Sequence, residues 1–326
     1  MISCKEFIPL YSEFFKYLEE KGGHDAVMEY WYYISDNSIG DKANPNSMAY
    51  NCDRLGGYEG ARAYWGHTTT EEACDILSAR NDKAKFSYSH MRYCPSRGML
   101  NSLEHIEPYY DYCEHCKIIY SRVLENYGMV YERDQSKVDN AECCSILYEK
   151  DNPPTFDWRN MTDEEMLEKF KDDPDVIISD VKREGMKYLH RDFHLSGDLA
   201  LKYCGEKFGN DEVIGFITSY TKNYYSPIIS EIKKKGLCYL KEWIEKVYET
   251  EEASDVLHTE LNDGSLTVII DKSPVIEYMR GLNQEPSEYY IEETRTLYDV
   301  IAKMSGYKFN LEYYNEDGAT KFTFTK

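Results

Sequence analysis

Cysteine and histidine gather in two short runs, SHMRYCPSRG at residues 89–98 and YCEHC at 112–116, which bring His90, Cys94, Cys113, His115 and Cys116 close in sequence. A thiolate rather than a thiol is the nucleophile, and a neighbouring imidazole both lowers the thiol pKa and carries its proton. Cys94 is the preferred nucleophile of the set, with His90 or His115 as proton carrier. Cys113 stands where a helix should begin and would gain from the helix dipole. Arg92 is placed to hold a carboxylate. The same donor types, Cys94, Cys113, Cys116 and His90, also make a tetrahedral zinc site the alternative to a cofactor-free one. CEHC lies inside a helical pattern, without the tight turn and second Cys pair usual for structural zinc, and no βαβ pattern precedes it as in thioredoxin-like proteins. The competing structural reading is that Cys113 and Cys116 are small core residues of an apolar stripe.

The elements that must position these groups follow from periodicity. Residues 86–94 alternate as a strand, so Phe86, Tyr88, His90, Arg92 and Cys94 share a face, and Pro95 ends it. Beyond Pro108, the spacing of Cys113, Cys116, Tyr120, Val123 and Tyr127 predicts a helix closed by Gly128. Two strands follow, near 129–133 and 142–148. In the second, Cys143 and Cys144 point to opposite faces, and the pattern leaves open which one meets the site. Upstream, a helix over 7–21 stops at Gly22-Gly23. GGYEGAR at 56–62 has only the glycines of a phosphate-binding loop and reads as a helix entry.

A second candidate is HRDFH, where His190 and His194 stand four apart on a helix expected over 180–208. That spacing can grip a metal or an anionic ligand, although the run lacks the Glu of a zinc-protease helix. Both histidines are read here as substrate-binding candidates.

The chain also reads as written twice. KYLEEKGGHDAVMEYWYYI from Lys16 lies over KYCGEKFGNDEVIGFITSY from Lys202, with Tyr17/Tyr203, Glu20/Glu206, Gly23/Gly209 and Asp25/Asp211 each separated by 186 residues. Further on, Tyr109-Tyr110 lies over Tyr289-Tyr290 and Tyr127 over Tyr307, each separated by 180. This predicts an α+β fold of two tandem copies of a helices-plus-antiparallel-sheet domain, related by internal duplication with a pseudo-twofold axis. The boundaries are 1–150 for the first copy, 151–179 for an acidic, proline-containing linker with one short helix opened by Thr162, and 180–326 for the second. In the second copy Cys94 becomes Ser273, Cys113 becomes Glu293, His115 becomes Arg295 and Cys116 becomes Thr296. The chemistry is therefore expected in the first copy.

With 59 acidic against 38 basic residues and a net charge of −21, the surface repels phosphate, which argues against nucleic acid and anionic membranes as partners. No apolar stretch approaches the roughly 20 residues of a transmembrane helix, and MISCKEFIPLYSEFF lacks a signal-peptide pattern. Ten cysteines without any export mark read as free thiols in a reducing, cytoplasmic setting. Neither charge nor pattern sets an oligomeric state.

Arg92 with Cys94-Pro95 at the end of a strand, a Cys on the next helix (Cys113 or Cys116) and a Cys in the final strand (Cys143 or Cys144) resemble the bacterial L-2-amino-thiazoline-4-carboxylic acid hydrolase-like family. The resemblance covers roughly residues 50–150. It implies a hydrolase that opens a small cyclic amidine or thiazoline at a C–N bond with water, giving a carbamoylated cysteine. The alternative from another class is a non-catalytic protein that binds a small ligand or senses redox state or metal in a cleft between the copies.

Overall fold

A computed structural model describes residues 1–159 and 161–326. Helices and two antiparallel sheets make an α+β architecture, divided into two compact units. One unit runs from Gly22 to His190, and the other joins Met1–Lys21 to Arg191–Lys326. The boundaries differ from those expected because the first helix, α1 (Phe7–Ile34), is broken at Gly22 (φ −148°, ψ 17°) and Gly23 (φ 69°, ψ −173°). Glycine tolerates the positive φ. Before the break, Phe7 and Phe14 pack on Phe193 and Phe216 of the split unit, with ring centroids 4.7 and 4.8 Å apart. Periodicity locates the glycine break but not the core that each half of the helix fills.

The 22–190 unit continues through α2 (Met48–Leu55), α3 (Gly57–Glu71), β1 (Asp75–Asn81), β2 (Phe86–Tyr93), α4 (Pro95–Asn101), α5 (Glu114–Glu125), β3 (Met129–Asp134), β4 (Cys143–Glu149), α6 (Asp163–Phe170) and β5 (Val176–Val181). Its sheet has the order β3-β4-β2-β1-β5, antiparallel throughout. The acidic stretch expected as a linker is part of this sheet's structure. Thr162 and Glu165 close a capping box on α6, and Met166 and Phe170 pack with Leu77, Ala79, Tyr88 and Ile146 on one face. β5 pairs with β1. An apolar pair spaced by helical periodicity and a run of β-branched residues outweigh the surrounding acids. Asn160, within the same stretch, lies outside the described residues.

The opposite face of this sheet carries α3 and α5: Trp65 and Tyr120 set their rings 4.9 and 5.9 Å from that of Tyr131, and Ser121 Oγ donates to the Tyr131 carbonyl at 3.1 Å. Gly60 lets α3 approach α2, since a Cβ there would collide with the Cys52 backbone. That accounts for a glycine of GGYEGAR by helix packing.

The split unit contributes α7 (Asp192–Phe208), α8 (Asn210–Tyr224), α9 (Ser226–Lys235), α10 (Leu237–Thr250), β6 (Leu257–Asn262), β7 (Ser265–Ile270), α11 (Pro274–Gly281), α12 (Arg295–Ser305), β8 (Lys308–Tyr314) and β9 (Thr320–Thr325). Its sheet order is β6-β7-β9-β8. Tyr298 of α12 covers Phe322 and Phe324 of β9, and Gly318 (φ 74°) closes the β8–β9 turn as its sequence predicts. The helix expected from residue 180 begins at Asp192, because β5 occupies 176–181. Among the described residues no helix is long and apolar enough to cross a membrane.

Candidate active site

The first turn of α5 gathers two thiols and an imidazole. Cys113 is the N-cap, and His115 and Cys116 follow in the opening turn, where backbone N–H groups are unpaired and the dipole favours negative charge. His115 is buried, its ring lies 4.8 Å from that of Tyr112, and its Nδ1 bonds the Tyr112 carbonyl. A carbonyl only accepts, so Nδ1 carries the hydrogen and neutral His115 presents a bare Nε2. Cys116 Sγ sits 3.3 Å from that nitrogen. Burial pushes the Cys116 thiol up, but the charges of His115 and Arg133 and the hydrogen bond from His115 outweigh it and bring the thiol down to about 7. His115 is driven the other way: burial lowers it, and the adjoining sulfur raises it by more. Both shifts favour the thiolate beside the imidazolium.

Arg133, on β3, is the cation of this centre. It stands opposite Ser145 in the sheet, on the face that carries Cys143, and Nη2 donates to Cys143 Sγ at 3.0 Å. Its Nε is buried without a hydrogen-bond partner, and no carboxylate pairs with this guanidinium among the described residues. Glu72, just beyond α3, is raised by burial, while His190, Ser96, His115 and Arg133 pull it back only in part. Ser96 Oγ donates to it at 3.4 Å. His190 lies 4.0 Å from Glu72 through Nε2, and its Nδ1 meets Glu71 at 2.8 Å. Cys116, Arg133, Tyr131, Glu72 and Cys94 are each half-buried.

The surrounding thiols are shifted the other way. Burial raises Cys94 and Cys74 well above the ordinary thiol value, pushes Cys113 up to about 11 and raises Cys143. Cys94, expected as the nucleophile, caps α4, and its own N–H is spent on the Ala141 carbonyl at 2.7 Å. None of the ten cysteines is in a disulfide.

His90 and Arg92 face the other side of the sheet. His90 Nδ1 lies 2.6 Å from Asp163 and Nε2 2.8 Å from Glu142. Arg92 pairs with Asp75 and Asp163, each at 3.2 Å, and with Asp180. A strand alternates its side chains, so His90 meets α6 while Ser89 and Met91 turn toward α5. Arg92 is thus a tie between β1, β5 and α6 rather than an anchor for a ligand. The expected zinc set of Cys94, Cys113, Cys116 and His90 does not assemble for the same reason. Among the described residues, no three of these thiol and imidazole groups bring ligand atoms within 4.8 Å of one another. Cys143 is the cysteine of its pair that meets the site; Cys144 accepts from Tyr88 Oη at 3.2 Å on the His90 side.

HRDFH does not present one helical face, because α7 starts at Asp192. His190 belongs to the 22–190 unit beside Glu72, whereas His194 is buried in the split unit with Nε2 2.9 Å from Glu251. Sequence reasoning missed Arg133 and Glu72. Alternation of Tyr131 and Arg133 in MVYERD was the available signal for the first; Glu72 had none.

No family model, curated protein or solved structure matches the chain.

Proposed function

We propose that the 22–190 unit is a thiol-dependent hydrolase opening a C–N bond in a small cyclic amidine that bears a carboxylate, such as a 2-amino-thiazoline carboxylate. Cys116 is its nucleophile and His115 its proton carrier. The observation that carries the reading is the 3.3 Å approach of Cys116 Sγ to His115 Nε2, with the imidazole held from behind by the Tyr112 carbonyl. This replaces Cys94 and His90 in those roles.

The chemistry runs in two halves. The Cys116 thiolate adds to the amidine carbon, the C=N electron pair moves to nitrogen, and that nitrogen takes the imidazolium proton. As the ring C–N bond breaks, the nitrogen leaves as an amine, with Glu72 supplying the second proton. Water then adds to the sulfur-bound carbon, giving its proton to His115, and Cys116 departs as thiolate to leave the carbonyl product. A second proton from that water returns to Glu72. Arg133, whose guanidinium meets the Cys143 sulfur and no protein carboxylate among the described residues, receives the substrate carboxylate. No cofactor takes part in these steps.

The decisive experiment follows ring opening of 2-amino-thiazoline-4-carboxylate, with folding of each variant checked by circular dichroism. Cys116→Ser should abolish turnover and Cys94→Ser should preserve it. Thiol labelling at pH 7 should find one fast cysteine, Cys116. Retained turnover in C116S would overturn the assignment, and uniformly slow labelling without turnover would leave a ligand-binding protein instead.

The duplication belongs to the same proposal. Its support is topological: β1-β2-β4-β3 and β6-β7-β9-β8 run in the same order, and Cys94-Pro95 and Ser273-Pro274 open equivalent helices after equivalent strands. In the second copy Glu292 takes bonds from Arg295 and Thr296 where the first has its thiol and imidazole. Free thiols suit the reducing cytoplasm, and an acidic surface suits a small-molecule substrate better than nucleic acid.

A further inference from the structure

We infer that Cys113 and Cys116 are a peroxide-driven disulfide switch that closes the first turn of α5 and silences the site; the silencing, though not the bond, rests on the hydrolase reading above. The two cysteines stand three residues apart, and Cys113, with φ −76° and ψ −19°, already has helical backbone angles. Helical rise and rotation then put their Cα atoms about 5 Å apart, within the range a disulfide spans. Cβ atoms at this spacing lie slightly farther apart than a disulfide prefers. Cys113 can make up the difference because, as the N-cap, it lies at the start of the hydrogen-bonded ladder rather than inside it. Cys143 is the competing partner, but its sulfur is held by Arg133 Nη2 at 3.0 Å on a central strand of the sheet.

The oxidant is hydrogen peroxide. Cys116 thiolate attacks one peroxide oxygen, the O–O bond breaks, and the departing hydroxide takes the proton of the His115 imidazolium, giving Cys116 sulfenic acid and water. Cys113 sulfur then attacks the sulfenic sulfur. The S–O bond breaks, the hydroxide leaves with the Cys113 proton as a second water, and the S–S bond forms. The two thiols together supply the two electrons that reduce the peroxide. The nucleophile is lost, and a thiol reductant restores it.

The test uses the intact chain, one equivalent of hydrogen peroxide at pH 7, alkylation of remaining thiols and tryptic mass mapping. Residues 98–117 fall in one tryptic peptide containing Cys113 and Cys116 and no other cysteine. The expected result is that this peptide loses two hydrogens, escapes alkylation and regains both sites after dithiothreitol. In Cys113→Ser the reaction should stop at a Cys116 sulfenic acid that dimedone traps. A cross-link from this peptide to 138–150, or a wild-type sulfenic acid that persists unresolved, would overturn the inference. Because the readout is mass, a disulfide in a chain that opens no amidine would sink the hydrolase and keep the switch, whereas turnover without the disulfide would do the reverse.

Discussion

The two faces of the β3-β4-β2-β1-β5 sheet carry nearly the same functional groups and use them in opposite ways. On the α6 face, His90 has a carboxylate at each ring nitrogen and Arg92 has three aspartates. On the α5 face, Arg133 meets a thiol where Arg92 meets carboxylates, and His115 directs its second nitrogen at Cys116; Nε is without a hydrogen-bond partner in both arginines. Saturated polar groups stabilise a fold because every buried donor and acceptor is satisfied. Unsaturated ones retain their capacity for a ligand, at a cost in stability. Residue type alone does not separate the two His–Arg–Cys sets; whether carboxylates or thiols meet the imidazole and the guanidinium does.

Breaking the reactive face should have the largest effect. Cys116→Ser should remove turnover, and His115→Asn should lower kcat about a hundred- to ten-thousandfold, both read by steady-state kinetics. Alkylation of Cys116 should rise with pH through a midpoint of about 7, because the thiolate reacts and its folded pKa lies below the 9.0 of an unperturbed thiol. At pH 7 about half of Cys116 would then be thiolate, against about 3% of an ordinary thiol, and after allowance for its lower basicity it should alkylate about threefold faster; iodoacetamide kinetics against pH check this. Arg133→Met should raise KM for a carboxylate substrate about ten- to a hundredfold, the worth of a charged hydrogen bond, and leave KM for its neutral amide nearly unchanged.

The saturated face should answer in stability alone. His90→Ala takes one partner each from Asp163 and Glu142, which keep Arg92 and Lys137, and should cost about 1–3 kcal/mol in urea unfolding, with KM unaltered; a kinetic defect matching that of His115→Asn would erase the distinction between the faces. The smallest effect is expected from Thr162→Ala, which opens the α6 capping box and should cost about 1 kcal/mol.

Much of the local structure was legible. The strand at 86–93, the helix carrying CEHC, the strands flanking residues 134–142, the glycine break at 22–23 and the β8–β9 turn all follow from periodicity and turn chemistry. Strands β1, β5 and β6 were not read: DILSARN and LHTELN interleave polar residues without a clean alternation, and VIISDV sits among acids that resemble a linker. Placing His190 and His194 on one helix failed because β5 claims the residues in which that helix was to begin.

Amino-acid order by itself determined that Cys143 and Cys144 face opposite sides of their strand, since alternation is a local property of the backbone; that His90 shares the side of Cys144 was set by the register of β2 on β4. Amino-acid order also placed Cys113 and Cys116 on one turn. Only the tertiary structure decided which side of the sheet met carboxylates and which met thiols, because that depends on what packs there. α6 brought Asp163 to His90, whereas α3 and α5 closed over Arg133 without supplying a carboxylate to pair with it. Burial and unpaired charge arise between elements far apart in the chain, and no single stretch of sequence contains them.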